Sequence, residues 1–430
     1  MNRFFILVII AITLVACKKE DDDFVPNAAV NKQSLQFSSS SGIDSFAITS
    51  NASWTVEKDV NWITLSKTSG NANEIIKISV TENTVATPRT AVITVKVDGL
   101  LPDIKIDVNQ SKALETVGLF ILSEGPWRSG TSDISYYDVK TEQLTQNYYS
   151  QKNSKALGDG ANDLAIYGSK LYCVVTGGSE ENEGYVEVIN SVTGESIERV
   201  EVDSPRRIIF YGSKAYVTTY SQKVVRLDTA LLSIDATANL SGTYAEGICL
   251  YNDKLYICNS GQGYGTTISV VTLNPFNETD IITVPQNPIM IEATSSGEIY
   301  FTTADLSWAG GDPSNIHILD PEQKQVTSPF DVRASKIALA KDFIYAVDFD
   351  WGDFSDHINK INLQTKTVEN ISNIFEDYSM VYNVSINPLN GDIYLTNQGD
   401  NVVVFDKTGA EKFDLKTGIA ITATVVPVIK

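Results

Sequence analysis

Ile208-Ile209-Phe210-Tyr211-Gly212-Ser213-Lys214-Ala215-Tyr216-Val217 returns 40 residues later as Ile248-Cys249-Leu250-Tyr251-Asn252-Asp253-Lys254-Leu255-Tyr256-Ile257. Each copy is an apolar strand, a tight turn, and a second strand built around an aromatic anchor. A repeat of this length has to be traced through the chain before single motifs are interpreted. The aligned anchors are Phe120, Tyr172, Tyr216, Tyr256, Tyr300, Tyr345 and Tyr394, with spacings of 52, 44, 40, 44, 45 and 49 residues. A third strand follows each anchor and usually ends in Asp or Asn: Asp138, Asn190, Asp228, Asp320, Asn362 and Asp406. Such side chains accept hydrogen bonds from nearby backbone amides and start turns. Thr141, Thr193 and Thr365 stand three residues after three of them. Long helical periodicity is absent, so a helical solenoid is excluded. The spacing suits a four-stranded blade and predicts a β-propeller over 117–430 in preference to an open β-solenoid, whose repeats are shorter.

Counting the copies predicts closure. The first copy lacks its innermost strand, because Gly118-Leu119-Phe120-Ile121-Leu122 matches the second strand of the others. After the seventh copy, Gly418-Ile419-Ala420-Ile421-Thr422 reads as the missing innermost strand. Pairing it into the first blade would remove open sheet edges. Seven blades are expected, with six or eight as the alternatives. Before the repeats, residues 28–112 alternate apolar and polar positions in short runs, as in Ala91-Val92-Ile93-Thr94-Val95-Lys96-Val97. That is the pattern of an antiparallel β-sandwich. The expected fold is therefore all-β: an immunoglobulin-like β-sandwich followed by a seven-bladed β-propeller sealed by its C-terminal strand.

Charge and composition narrow the function. Of 430 residues, 53 are Asp or Glu and 33 Lys or Arg, a net charge of -20 that opposes binding to nucleic acid. Two histidines, His317 and His357, leave no multi-histidine metal centre and few bases for a catalytic triad. His317 lies in the alternating run Asn315-Ile316-His317-Ile318-Leu319 and reads as structural. Cys173, Cys249 and Cys258 have no regular spacing and read as buried free thiols, a Cys249 to Cys258 bond being the alternative. The carboxylates Asp348, Asp350, Asp353 and Asp356 could supply oxygen ligands to calcium, but their spacing departs from an EF-hand loop and a solvated acidic loop is the simpler reading. A glycosidase pair such as Glu124 with Asp305 depends on a separation that sequence does not give. Phosphate-binding and dinucleotide motifs are absent. No enzyme, catalytic residue, cofactor or metal site is expected.

The amino terminus reads as an address. Residues 4–15 form an apolar run after Arg3, too short to cross a bilayer core of about 30 Å as a helix. Leu14-Val15-Ala16-Cys17 resembles the lipobox of bacterial lipoproteins, which implies a signal peptide over 1–16 and lipidation of Cys17. The tether 17–27 contains Lys18-Lys19-Glu20-Asp21-Asp22-Asp23. It resembles the surface-export signal of Bacteroidetes lipoproteins, with a plain solvated tether as the other reading. The expected location is the outer membrane, at the cell surface, with membrane contact through the lipid anchor alone.

Two further resemblances carry expectations. Ser50-Asn51-Ala52-Ser53-Trp54-Thr55-Val56, Trp62-Ile63, Gly70, Arg89-Thr90-Ala91 and Val108-Asn109-Gln110 resemble the BACON domain, whose name implies carbohydrate binding. Trp54 and Trp62 nevertheless sit among strand residues, where a buried ring joins two sheets, so the domain reads as a spacer. The repeats resemble YVTN or YncE-like propellers, and more narrowly surface lipoproteins with a DUF5074 domain. Leu255-Tyr256-Ile257-Cys258-Asn259-Ser260-Gly261 and the turn from Asn190 to Gly194 carry that likeness. It implies capture of cobalamin for a TonB-dependent transporter.

In a propeller, the loops between second and third strands and those between blades emerge on one face, which usually binds. The registration places Glu124, Trp127, Arg128, the acidic stretch 180–183, Tyr220, Tyr264, Asp305, Trp308, Asp350, Trp351 and Phe354 in the first set. Asp163, Arg206, Tyr244, Glu246, Asn287, Tyr378 and Tyr382 fall in the second. Tryptophan in loops is not required by core packing and suggests an apolar platform. The expected ligand-binding residues are Trp127, Arg128, Arg206, Tyr220, Tyr244, Glu246, Tyr264, Asp305, Trp308, Trp351, Phe354, Tyr378 and Tyr382. The expected partner is a bulky nutrient of corrinoid type. A glycan stacked on the rings and a protein-interaction scaffold are the alternatives.

Overall fold

The computed structural model describes residues 24–177, 183–307, 311–372 and 380–430. The signal segment, Cys17, residues 180–182, Trp308 and Tyr378 lie outside the described residues. The chain divides into two compact units, 1–114 and 115–430. No helix among the described residues is long and apolar enough to cross a membrane.

The first unit has two sheets, one of four strands and one of five. Alternation along Glu74–Val80 and Arg89–Val97 sends every second side chain inward. One core joins both sheets through Phe46, Ile76, Ile78, Ile93, Val95 and Trp54. Trp54 is 1% exposed, and its Nε1–H donates to the Ala72 carbonyl at 2.9 Å. A Cβ at Gly70 would sit 2.3 Å from the Trp54 ring, so only glycine fits there. The Arg89 guanidinium lies 4.4 Å over the Trp62 ring and donates through Nε to Gln110 Oε1 at 2.8 Å. Gln110 in turn donates to the carbonyls of Ser39, Ser40 and Thr81. The aromatic, Gly, Arg and Gln residues singled out in sequence are thus engaged with the unit's own backbone and rings.

The second unit is propeller-like: its described residues form seven four-stranded sheets. The innermost strands, in spatial order, are Thr422–Ile429, Ala161–Tyr167, Pro205–Tyr211, Ala245–Tyr251, Pro288–Ala293, Lys336–Leu339 and Val381–Ile386. Each touches the next, and Val381–Ile386 touches Thr422–Ile429. All seven aromatic anchors are buried on second strands. The six Asp and Asn residues at third-strand ends accept backbone amides as expected, for example Asp228 Oδ1 from Ala230 and Leu231 at 2.9 and 2.8 Å. The three described cysteines are buried and free.

Two features differ from the sequence reading. The C-terminal strand pairs antiparallel with Thr116–Ser123, but it runs Thr422–Ile429; residues 418–421 are the loop leading into it. Gly418 and Ile421 adopt positive φ of 79° and 61°, which ends extended structure there. The long spacing between Phe120 and Tyr172 holds a short helix, Tyr148–Asn153, whose Tyr149 is buried against the second sheet.

Candidate functional site

Six of the seven innermost strands begin alike. The residue before each strand, Gly160, Ser204, Tyr244, Asn287, Met380 or Ile421, has φ between 48° and 65°. Its carbonyl accepts the amide just past the second strand, from Thr176, Tyr220, Ser260, Ala304, Gln398 and Glu124 respectively, at 2.9 to 3.1 Å. The register then slips at the strand's first positions. A bulge bends a strand and re-aims the extra side chain. Asn162, Arg206, Glu246 and Tyr382 occupy these bulges.

The bulges bring polar groups from different sheets together at the start of the innermost strands. Arg206 Nε donates to Glu246 Oε2 at 3.2 Å, and its Nη1 donates to Asn162 Oδ1. The guanidinium lies 4.6 Å over the Tyr220 ring, whose hydroxyl donates to Glu246 Oε1 at 2.5 Å. Tyr244 packs against Tyr220 at 4.9 Å between ring centroids. Tyr382 donates its hydroxyl to Glu124 Oε1 at 3.0 Å. Arg207 Nη1 lies 4.0 Å from Asp163 Oδ1 and donates to the Asn162 carbonyl at 2.6 Å.

Burial works against every charge here, and the neighbours decide the outcome. Burial would raise the Glu246 carboxyl, but Arg206 and Arg207 outweigh it and hold that group below the usual carboxylate range. Burial prevails at Glu124 and Asp163, whose carboxyls are pushed up despite the same arginines. Burial, with help from Arg207, brings Lys336 down to about 8. Burial, with the Asp163 charge, pushes Glu292 up to about 7.

Of the residues singled out in sequence, Arg206, Tyr220, Tyr244 and Glu246 form one contact group, and Tyr382 with Glu124 a second. The others stand apart. Trp127 is 60% exposed and lies beside Gly160, its Cζ3 atom 3.5 Å from where a Cβ would be. Arg128 is exposed, with φ 62°. Tyr264 is 79% exposed on its own loop. Trp351 and Phe354 are exposed and meet edge-on with each other and with Phe349, at 4.9 to 6.3 Å. Among the described residues no ring pair joins Trp127, Tyr264 and Trp351. Asp305 faces Arg333 Nη2 at 2.5 Å, and Arg333 also meets Asp350 at 3.0 Å and Asp348 at 3.4 Å.

The acidic stretch 348–356 is largely engaged with protein groups. Asp348 accepts the Ser314 hydroxyl at 2.6 Å and Asp356 accepts the Val381 amide at 2.7 Å. Asp350, Asp353 and His357 could present ligand atoms within 4.8 Å of one another. Sequence reading missed Asn162, Arg207, Glu292, Arg333, Lys336 and Asn383. Arg207, Glu292 and Lys336 are visible as charges inside apolar strands, but only the folded strands show that Arg207 and Glu292 line one cavity and that Lys336 stands level with Arg207 by register.

Seven four-stranded sheets in the second unit, behind a two-sheet first unit, suggest a propeller-like protein of the binding or scaffold class. Two family models match: residues 52–111 match BACON, described as "Putative binding domain, N-terminal", and residues 117–234 match DUF5074, a domain of unknown function. The chain carries a BACON domain followed by a DUF5074 propeller-like unit. Among solved structures, it is similar to a quinoprotein alcohol dehydrogenase-like protein from Bacteroides thetaiotaomicron, at 14% identity and TM-score 0.53 over 92% of this chain and 96% of that one. At that identity the likeness shows the fold alone. Weaker likenesses are the hydrazine synthase of Kuenenia stuttgartiensis (14% identity, TM-score 0.47, 56% of this chain and 74% of that one) and the WD40 domain of Neurospora crassa Pan2 (10%, 0.44, 57% and 75%). No curated protein matches the chain.

Proposed function

We propose that the chain is a non-enzymatic, lipid-anchored protein of the outer cell surface. In this reading the first unit is an immunoglobulin-like sandwich, and the second is a closed seven-bladed propeller that binds a bulky nutrient at its channel mouth. The observation that carries the reading is that repeated bulges deliver Arg206, Glu246 and Tyr382 to Tyr220 and Glu124, which stand just past second strands, in two contact groups drawn from different sheets. Packing alone does not call for paired charges at a mouth, and fixed polar groups flanked by apolar surface are what orients a ligand. Exposed rings on surrounding loops, Trp127, Tyr264 and Trp351, supply that apolar surface. A polar bowl with rings around it suits a corrinoid passed on to a TonB-dependent transporter, as the family resemblance implies. Separate exposed rings also favour a second reading, a glycan stacked on them.

The test is equilibrium binding of the mature protein to cyanocobalamin, cobinamide and oligosaccharides, with Glu246→Gln, Trp127→Ala, Trp308→Ala and Trp351→Ala alongside. A corrinoid should bind saturably, and Glu246→Gln and at least one Trp variant should weaken it about tenfold, roughly 1.4 kcal/mol. Binding of an oligosaccharide that only the Trp variants weaken would establish the second reading. Wild-type protein that bound neither would sink both.

A further inference from the structure

The innermost strands line an open cavity of about 320 Å³ with Asp163, Arg207, Glu292 and Asn383 in its wall, and register places Lys336 beside it. Register sets its levels. Asp163, Met290, Lys336 and Asn383 each pair with the residue two past the aromatic anchor of their sheet, and Arg207 lies opposite the equivalent Thr218. These five residues therefore stand at one height, three of them charged. Two residues further along, on the same faces, come Ile209, Glu292, Ala338 and Ser385, all lining the cavity. The channel has a charged upper level and a mainly apolar lower level with a single carboxyl.

Arg207 donates through Nη1 to the Asn162 carbonyl, Asn383 donates through Nδ2 to the Ala423 carbonyl, and Asp163 accepts two backbone amides, but other polar atoms at these levels are unmet. Lys336 and Glu292 make no hydrogen bond or ion pair with a described residue, whereas Arg206 and Glu246 just above are paired. Arg207 Nε and Asn383 Oδ1 are buried atoms with no partner. Unsatisfied buried donors and acceptors cost free energy and are rare in native proteins, so Arg207 Nε and Asn383 Oδ1 ask for a partner, while the half-buried Lys336 and Glu292 are open to one. The donors, Arg207 and Lys336, are at the upper level. The free carboxyl of Glu292 lies two strand residues below, about 7 Å along the strand.

We propose that this channel is a site for a short ω-amino carboxylate. Its carboxylate is held by Arg207 and Lys336, its methylene stem lies along Ile209 and Ala338, and its ammonium donates to Glu292. The site stands on the channel lining and is independent of what the mouth binds. Its pH dependence follows from the groups that face the two ends. Burial and Asp163 put Glu292 at about 7, with the Cys249 thiol also near it. Burial and the field of Arg207, Arg206, Glu246 and Glu124 put Lys336 at about 8. Affinity should fall below pH 7 as Glu292 takes up a proton, and fall above pH 8 as Lys336 loses one.

The experiment is calorimetric titration of the full mature protein with ε-aminocaproate, hexylamine and caproate between pH 6 and 9. Expected are saturable binding of ε-aminocaproate, at least tenfold weaker binding of both single-charge analogues, and an optimum between pH 7 and 8. Glu292→Gln and Lys336→Met should each weaken binding at least tenfold, and Leu231→Ala, on an exposed turn, should leave it unchanged. Absence of saturable binding, meaning a channel filled by water only, overturns the proposal. So does a flat pH profile in wild type, which needs no variant to fold. Loss of corrinoid binding in Glu246→Gln with ε-aminocaproate binding retained would separate the mouth from the channel.

Discussion

His317 shows how one side chain ties burial to pH. The ring is 4% exposed and stacks on Phe301 at 4.9 Å, with Nδ1 2.7 Å from the Ser328 hydroxyl and Nε2 3.2 Å from that of Thr303. Burial brings its pKa down to about 4. An unfolded histidine titrates near 6.5, so between these values the unfolded state binds more protons and stability rises with pH. The stability this neutral ring contributes is complete above about 6.5 and is lost as pH falls towards 4. Denaturant titrations at pH 7 and 4.5 should show that loss in wild type. In His317→Gln the gap between the two pH values should narrow by about 1 to 2 kcal/mol; an unchanged gap would assign the acid sensitivity elsewhere. This histidine was legible in sequence because it alternates with Ile316 and Ile318 on a strand. Glu292 was not, because a lone acid in Ile289-Met290-Ile291-Glu292-Ala293 says nothing about facing a shared channel until neighbouring strands are in register.

At the scale of the element, what could be read locally was read correctly. The aromatic anchors and the Asp and Asn turns are set by short-range chemistry, a buried ring on a second strand or a carboxylate bonded to amides two or three residues on. The sequence pattern points to a closing strand four residues too early because Ile419-Ala420-Ile421 is apolar, while the positive φ of Ile421 is a property of the repeated loop that precedes an innermost strand. The true strand, Thr422–Ile429, buries Ala423, Val425 and Val428 and occupies the inner edge of the first sheet. Ending the chain after Ile421 would bare the edge of Thr116–Ser123 and the apolar side chains beside it. The truncated protein should lose its cooperative thermal transition or aggregate, and a peptide of residues 422–430 added in trans should partly restore the transition. A truncation that melts like wild type would show that the C-terminal strand does not hold the first sheet of the second unit together.

At the scale of the whole molecule, the two units have separate cores: one cluster for residues up to 114, and a succession of clusters between adjacent sheets after it. The BACON-type signature is therefore open to a decisive reading. If Trp54 were a ligand platform, its removal would spare stability and cost binding. Its ring is instead among the largest fully buried side chains, closed off by Gly70 and bonded to Ala72. Truncating a buried tryptophan costs about 3 to 5 kcal/mol, a large fraction of what a small domain has. Calorimetry of the mature protein should resolve two transitions, and Trp54→Ala should lower or abolish the one from the smaller unit. The other should keep its midpoint, because no cluster of the larger unit includes Trp54. The corrinoid binding proposed for the second unit should survive the same substitution. A variant that melted normally and lost ligand would reverse the assignment, making the first unit the binding module and the propeller its support.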